Sequence, residues 1–172
     1  NLPVDELEQV IEAAVELAKD YDTRLFINDY WQLAIKYGAY GVHIGQEDLA
    51  STDLTKIQQA GLRIGISTHG CYEFLLAQQL QPSYLAIGAI FPTKTKDMTG
   101  QIQGLENLTV LLALRPQAKA QQIPVVAIGG ISLERAPDVL ATGVDSIAVV
   151  SAITEANDPE QAVAALTTLS SN

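Results

Sequence analysis

The sequence contains few cysteines, histidines and basic residues, which argues against disulfide-stabilised and nucleic-acid-binding proteins. Its 172 residues include one cysteine and two histidines, and 10 lysines and arginines stand against 20 aspartates and glutamates. A single cysteine excludes an internal disulfide, and no apolar run is long enough to span a bilayer. The net charge of −10, without a basic cluster, argues against nucleic acid or an anionic membrane as a partner. We therefore expect a protein of the reducing cytoplasm.

Apolar residues are plentiful, at 48% of the total, and they fall into two alternating patterns. Apolar residues that recur every three or four positions predict amphipathic helices. Continuous apolar runs predict strands covered on both faces, as in a parallel sheet. The predicted helices are "NLPVDELEQVIEAAVELAKDY", "YWQLAIKYGAY" as far as Gly38, "LTKIQQAG", "CYEFLLAQQL", "LENLTVLLALRPQAKAQ", "LERAPDVLATG" and "PEQAVAALTTL". The predicted strands are "RLFIND", "GVHIG", "LRIGISTH", "SYLAIGAIF", "PVVAIGG" and "SIAVVSAI". Since no linker divides the chain, we predict one α/β domain over residues 1–172.

Polar residues or glycines follow nearly every predicted strand, which favours a (β/α)8 TIM barrel over an open doubly wound sheet. A barrel collects functional residues from many strand ends at one mouth, whereas an open sheet has a single switch point. The first element is a helix that lacks a preceding strand. We therefore expect about six strands of an N-terminally incomplete barrel, without two strands and one helix at its front. The polar strand ends are Asn28–Asp29, Gly45 with Asp48, Ser67–His69, Thr93–Lys96, Gly129–Gly130 and Ser151.

Two aspartates follow successive predicted strands and form a candidate metal site. Asp29 and Asp48 would lie side by side at the mouth of a parallel barrel. Two carboxylates suit Mg²⁺, which takes few protein oxygens and completes its shell with water and substrate phosphate. Each aspartate could instead cap the helix that follows it, because Asp is favoured at that position.

The sequence "AIGGIS" is a candidate anion site between a strand and a helix. Its paired glycines leave backbone N–H groups able to face an anion, with Ser132 available as a helix cap. "VVSAI" follows the last strand, and the loops after the last two strands of a barrel often bind phosphate. A tight turn explains paired glycines equally well.

Three other polar residues have less definite roles. Ser67, Thr68 and His69 close a predicted strand and could either bind a polar ligand or cap the next helix. His43 lies within a strand, so we assign it to the core. Cys71 has no visible activating partner, and the sequence contains no arrangement typical of covalent catalysis.

Five segments together identify a resemblance that runs in order over nearly the whole chain. They are "INDYWQLAIKYGAYGVHIGQEDL", "GISTH", "GAIFPTKTK", "PVVAIGGIS" and "GVDSIAVVSAI". This set strongly resembles the thiamine phosphate synthase family. The resemblance implies a (β/α)8 barrel that joins hydroxymethylpyrimidine diphosphate to thiazole phosphate and releases pyrophosphate with Mg²⁺.

The same resemblance implies a role for individual residues. Asp29 and Asp48 would hold the metal, and Asn28 would contact the pyrimidine diphosphate. Ser67 and Lys96 would be the catalytic residues, binding this substrate and assisting the departing diphosphate. The implied residues for the thiazole phosphate are Thr93, Thr95, Gly130, Val150 and Ser151.

One departure from the family and two alternative functions remain. Nothing here matches the family's first strand, of the type "YLVTD", or its "QLRxK"-like motif, whose basic residues grip the diphosphate. One alternative is the related thiazole tautomerase, for which His69 would be the residue of interest. The other is a protein that binds thiazole phosphate or thiamine phosphate without catalysis.

Overall fold

The computed structural model of the chain describes residues 3–93 and 100–169. The chain divides into two compact units, Asn1–Ser67 and Thr68–Asn172. The single domain over residues 1–172 therefore stays a prediction. Thr95 and Lys96 lie outside the described residues.

The first unit alternates helices and strands as the apolar pattern predicts. Its third strand, β3, ends one residue beyond the unit. The elements are α1 (Val4–Asp20), β1 (Phe26–Asn28), α2 (Trp31–Tyr37), β2 (Gly41–Ile44), α3 (Gln46–Leu49), α4 (Leu54–Gln59) and β3 (Arg63–Thr68).

Helix α1 shows how apolar spacing becomes packing. Ile11 and Val15 are buried one turn apart, whereas Val10 and Leu17 are exposed. On the polar side, Glu8 accepts hydrogen bonds from the Lys36 ammonium and the Tyr37 hydroxyl of α2. The Lys36 hydrogen bond lowers the pKa of the Glu8 carboxyl. The first helix therefore buries an apolar stripe and is linked to α2 by the charged contact of Glu8.

The strands of the first unit are parallel and largely buried, which confirms that part of the sequence analysis. Asn28 pairs with His43, and His43 pairs with Gly65. The buried residues Ile27, Val42 and Ile66 belong to three different strands. Because parallel strands share one direction, the carboxyl ends of β1, β2 and β3 lie at one edge.

The second unit repeats the alternation around its own core. Strand β4 pairs in parallel with β5, and β5 pairs in parallel with β6. Phe74, Leu108 and Val139 from the covering helices are completely buried. The elements are α5 (Cys71–Gln79), β4 (Tyr84–Ile87), α6 (Gly104–Ala113), a 3₁₀ turn (Lys119–Gln121), β5 (Val125–Ile128), α7 (Ala136–Leu140), β6 (Ser146–Ala148), α8 (Ser151–Thr154) and α9 (Pro159–Leu169).

The element boundaries differ from the prediction at several places. The long helix predicted in "LENLTVLLALRPQAKAQ" ends at Ala113, because Pro116 disfavours helical geometry in the residue before it. Strand β6 ends at Ala148, since Ser151 already begins the short helix α8. Helix α2 does stop at Gly38, whose φ of 67° gives it the left-handed geometry of a helix C-cap.

Candidate active site

The candidate active-site residues form two groups, one in each unit, at the carboxyl ends of the strands. In the first unit we define the polar cluster as Asn28, Asp29, His43, Gln46 and Ser67. In the second unit we define the glycine loop as residues 129–132, which follow β5 directly. Each group is described within its own unit.

Asp29 is the most constrained residue of the polar cluster. It is not a glycine, yet its φ is +64°, and its backbone N–H donates to the carbonyl of His43 at 2.9 Å. Its Oδ1 accepts from the backbone N–H of Gly45 at 3.4 Å, and its Oδ2 accepts from the Asn28 amide at 2.5 Å. A left-handed aspartate is uncommon, and such conformations concentrate at functional sites. The surrounding hydrogen bonds fix both its backbone and its carboxylate.

Asp48 lies in the first turn of α3, which follows β2. It is exposed, and its backbone carbonyl accepts from the hydroxyls of Ser51 and Thr52. Neither aspartate is a helix N-cap, because Tyr30 occupies that position in α2 and Gly45 occupies it in α3. The alternative assignment of these residues as caps is therefore wrong.

The donor set of the two aspartates fits a hard divalent cation. Among residues 3–93 and 100–169, no three His, Cys, Asp or Glu side chains gather closely enough to hold a metal by themselves. Mg²⁺ needs no such group, because one or two carboxylates suffice when water and substrate phosphate supply the other oxygens. Asp29 follows β1 and Asp48 follows the neighbouring strand β2, so the carboxylates come from adjacent strand ends.

His43 is the functional candidate that sequence reasoning missed. Its Nε2 lies 2.8 Å from the Ser67 Oγ, and both side chains are half-buried. Burial lowers the pKa of His43 below 6.5, and the opposing charge of Asp29 offsets this only in part. Burial therefore favours the neutral form of the imidazole. The sequence analysis assigned His43 to the core, and register adds a neighbour that this assignment did not include: His43 pairs with Gly65, two residues before Ser67 on the same face of the sheet.

Gln46 completes the polar cluster and was also missed. Its side-chain amide donates to the backbone carbonyl of Ser67 at 2.5 Å. The Ser67 hydroxyl is thus held by His43, and its backbone is held by Gln46. No pattern in the sequence distinguishes this glutamine from an ordinary surface residue, because the contact crosses from α3 to β3.

The other two residues of "STH" have structural contacts in the second unit. Thr68 is fully buried and its hydroxyl donates to the Ala86 carbonyl at 2.9 Å. His69 has its Nδ1 3.0 Å from the Glu73 carboxylate, and its carbonyl accepts from the Gln103 amide at 2.7 Å. Gly70, without a side-chain cap, is the N-cap of α5. The alternative assignment of Ser67, Thr68 and His69 as caps is therefore wrong.

The glycine loop is pressed closely against the segment after β4. The Phe91 N–H donates to the Gly129 carbonyl at 3.0 Å. A Cβ at Gly130 would lie 2.5 Å from the Pro92 carbonyl oxygen and 2.8 Å from the Phe91 Cβ. Gly130 also has a φ of +64°, so only glycine combines this geometry with this approach. Within the described part of the chain, no group accepts a hydrogen bond from the N–H of Gly130 or Ile131.

The remaining candidates of the second unit lie near the ends of β4 and β6. Thr93 is half-buried at the end of the described segment. Val150 is 47% exposed, and its carbonyl accepts from the N–H groups of Ile153 and Thr154 as α8 begins. Ser151 is exposed as the first residue of that helix. These residues therefore present backbone and hydroxyl groups, not charge.

Known proteins resemble this arrangement over most of the chain. A family model described as thiamine monophosphate synthase matches residues 1–153. A thiamine-phosphate synthase from Yersinia pestis (strain Pestoides F) is 60% identical over 161 residues, which cover 94% of this chain and 73% of the relative. The chain belongs to the thiamine monophosphate synthase family. That membership confirms the resemblance and makes the chain a transferase of thiamine biosynthesis.

Further members of the thiamine monophosphate synthase family extend the comparison. A thiamine-phosphate synthase from Photorhabdus laumondii is 56% identical over 166 residues, covering 96% of this chain and 74% of the relative. The solved structure of thiamine phosphate pyrophosphorylase from Pyrococcus furiosus is 33% identical, with a TM-score of 0.84 over 99% of this chain and 79% of that one. The predicted fold class is thereby confirmed: the described residues contain six strands of a (β/α) barrel.

Proposed function

We propose that the chain joins hydroxymethylpyrimidine diphosphate to thiazole phosphate and releases thiamine phosphate and pyrophosphate. The observation that carries the proposal is the high identity to thiamine-phosphate synthases over nearly the whole chain, 60% over 94% of its length. The polar cluster and the glycine loop supply chemistry suited to the two substrates. One is a diphosphate that must leave, and the other is a monophosphate that must be held.

The polar cluster is the proposed site for the pyrimidine diphosphate. Asp29 and Asp48 would hold Mg²⁺, which neutralises charge on a diphosphate when it is bound. Asn28 fixes one oxygen of the Asp29 carboxylate and leaves its own amide oxygen available to the substrate. Gly45 and Asn28 donate to the two oxygens of the Asp29 carboxylate, and these contacts fix its orientation.

Bond breaking in this reaction requires stabilisation of a leaving group rather than a protein nucleophile. The bond between the pyrimidine methylene carbon and the diphosphate oxygen breaks, and its electron pair leaves with the diphosphate. The thiazole nitrogen then supplies the electron pair of the new carbon–nitrogen bond. Ser67 is placed to donate its hydroxyl proton in a hydrogen bond to the departing group, and His43 orients that hydroxyl. Lys96 is the proposed cationic partner of the same diphosphate.

The second unit is the proposed site for the thiazole phosphate. The N–H groups of Gly130 and Ile131 are available as donors, as in other backbone sites for anions. Val150 and Ser151 would contribute from the end of β6, and Thr93 with Thr95 from the segment after β4. Backbone donors add no side-chain charge, so this site suits a ligand that is retained rather than expelled.

The experiment is a coupled assay of pyrophosphate release with both substrates and Mg²⁺. Asp48→Asn should lower turnover about 100-fold, the size expected when one preorganised electrostatic contact is removed. Asp53→Asn is the matched control, because Asp53 caps α4 of the same unit and asparagine also serves as a cap. Unchanged turnover in Asp48→Asn would contradict the metal assignment. Unchanged turnover in Lys96→Ala would likewise remove that lysine from the mechanism.

The two alternative functions are less well supported. The relatives from Yersinia and Photorhabdus carry the name of the synthase, which favours it over a thiazole tautomerase and over a protein that only binds phosphate. In the assay above, a pure binding protein would retain thiazole phosphate but release no pyrophosphate.

Location and partners complete the proposal. We place the protein in the cytoplasm because its one cysteine, Cys71, is a free and exposed thiol. The net charge of −10 supports small phosphorylated molecules, and not nucleic acid, as its ligands. No helix in the described ranges, 3–93 and 100–169, is long and apolar enough to cross a membrane.

A further inference from the structure

We propose that Arg135 is a positioning residue that holds the glycine loop in the geometry needed to bind the thiazole phosphate. Arg135 lies just before α7, close to the loop in sequence, and it belongs to none of the motifs that indicate the reaction. The inference rests on the proposed function, because it concerns how the same phosphate is bound.

Arg135 makes two contacts at once. Its Nη1 donates to the Gly130 carbonyl at 2.8 Å, and its guanidinium carbon lies 4.7 Å from the centroid of the Phe91 ring. A hydrogen bond from a charged donor is stronger than a neutral one, and a guanidinium is attracted to the face of an aromatic ring. Arg135 therefore clamps the glycine loop to the segment that leads to Thr93.

The two peptide planes on either side of Gly130 are fixed by different partners. The Gly129 carbonyl accepts from the Phe91 N–H at 3.0 Å, and the Gly130 carbonyl accepts from Arg135. In a trans peptide the N–H points away from the C=O, so each fixed carbonyl also fixes the N–H that follows it. The first plane aims the N–H of Gly130 and the second aims the N–H of Ile131. Without Arg135, the Phe91–Gly129 hydrogen bond would still fix the N–H of Gly130, but the N–H of Ile131 would lose its restraint.

Close packing explains why the loop needs a second anchor. The position of Gly130 has no room for a Cβ, and its positive φ is available to a glycine, which is also the most flexible residue when unsupported. Side-chain contacts cannot hold a residue that has no side chain. The hydrogen bond from Arg135 to the Gly130 carbonyl restrains this peptide in addition to the Phe91–Gly129 hydrogen bond before it.

The charge of Arg135 contributes in a second way. The chain has a net charge of −10, so a phosphate approaches a repulsive background. Among the described residues, Arg135 makes no ion pair that would neutralise it. A cation next to the Gly130 carbonyl favours an anion at the adjacent N–H groups.

The test is steady-state kinetics of the full chain, with each substrate varied while the other is saturating. Arg135→Met keeps the length of the side chain but removes its charge and donors. We expect the KM for thiazole phosphate to rise about tenfold, while the KM for the pyrimidine diphosphate and kcat stay within about twofold. Arg135→Lys should restore part of the loss, because it keeps the cation but cannot hold ring and carbonyl through separate nitrogens.

Arg63→Met is the matched control. The Arg63 guanidinium also lies 4.7 Å from an aromatic centroid, that of Tyr40, but at the amino end of β3. This variant should leave both KM values unchanged, which separates a loop-specific effect from the general loss of an arginine–aromatic contact. An unchanged KM for thiazole phosphate in Arg135→Met, or an equal rise of both KM values, would overturn the inference.

Two further measurements keep the outcome decisive. If Arg135→Met does not fold, Arg135→Lys decides the question: a severalfold rise in the KM for thiazole phosphate alone supports the inference, and no rise rejects it. Calorimetry of the unmodified chain with thiazole phosphate tests the proposed function separately. If the unmodified chain neither binds this ligand nor releases pyrophosphate, the proposed function fails. If the unmodified chain does both and the Arg135 variants have the same KM for thiazole phosphate, the proposed function stands and the inference about Arg135 fails.

Discussion

The polar cluster of the first unit and the glycine loop of the second unit occur at equivalent places, the carboxyl ends of parallel strands, but they differ in chemistry. The polar cluster offers side chains: a carboxylate, an imidazole, a hydroxyl and two amides. The glycine loop offers backbone N–H groups and has no room for a Cβ at Gly130. Activity should therefore be most sensitive to side-chain truncation in the polar cluster and to added side-chain atoms in the glycine loop.

This difference matches the demands of the two proposed substrates. A leaving diphosphate gains charge during bond breaking, so groups of high charge or adjustable proton position stabilise that change. A retained phosphate has the same charge before and after the reaction, so fixed dipoles supported by the nearby charge of Arg135 can bind it. Variants of the polar cluster should consequently lower kcat, and variants of the glycine loop should raise one KM.

The largest effect is expected for Asp29. Asp29→Asn should lower kcat about 100-fold or more while changing the free energy of unfolding by less than about 1 kcal/mol, since asparagine also tolerates a positive φ. Asp29→Gly relieves the strain of the φ of +64° but loses both hydrogen bonds of the carboxylate, so its stability should change little, and it should be equally inactive. Pyrophosphate release and urea unfolding measure the two quantities. An active Asp29→Gly would mean that this position serves the backbone and not the metal.

The second effect is expected for Gly130→Ala. The added methyl group meets Pro92 and Phe91 at less than 3.0 Å, so the loop must move. We expect the KM for thiazole phosphate to rise about tenfold or more, with a loss of about 1 to 3 kcal/mol in unfolding free energy. Kinetics and thermal unfolding measure these changes.

Gly143→Ala is the control for the backbone part of that effect. Gly143 has a φ of +85°, but nothing lies within 4 Å of where its Cβ would be. It should lose about 1 kcal/mol of stability through strain alone and keep both KM values. If Gly143→Ala raised the KM for thiazole phosphate as much as Gly130→Ala, the glycine loop would have no specific role.

The third effect concerns the pair of His43 and Ser67. Ser67→Ala and His43→Phe should each lower kcat about tenfold, and the double variant should be little worse than either alone, because both remove the same hydrogen bond. His43→Asn, which retains polar atoms on a shorter side chain, should recover part of the activity. Fully additive losses in kcat would show that the two residues act independently.

Much of the fold was predictable because the relevant signals are local. Continuous apolar runs gave the six strands, and Gly38 marked the end of α2 correctly. The helix beyond Ala113 was overpredicted because apolar spacing continues past Leu114, whereas Pro116 stops the backbone from following it. The short helices α3 and α8 were missed because four residues are too few to show a period.

The candidate site was predictable only where the residue type and its position at a strand end indicate the chemistry by themselves. Asp29, Asp48 and Gly130 stand at strand ends and carry recognisable chemistry. His43 and Gln46 do not, because their roles arise from contacts with Ser67 on another element. Arg135 escapes sequence reasoning for the same reason, since its partners Phe91 and Gly130 lie on two different loops.

The smallest effect should occur away from both strand-end regions. Tyr84 is the first residue of β4, at its amino end, and burial raises the pKa of its hydroxyl to about 12. In the unfolded chain the hydroxyl titrates near its ordinary value of about 10. Between these values the folded state binds more protons than the unfolded state, so stability is present below about pH 10 and is lost as pH rises toward 12.

Tyr84→Phe removes this titration and should flatten the fall in stability between about pH 10 and 12 without altering either KM at pH 8. Urea unfolding across this pH range, compared with the unmodified chain, measures the slope. The same substitution at Tyr72, which is 76% exposed, is the control for the loss of a tyrosine hydroxyl as such. If Tyr84→Phe instead raised a KM, the amino ends of the strands would take part in binding. The polar cluster and the glycine loop would then account for only part of substrate binding.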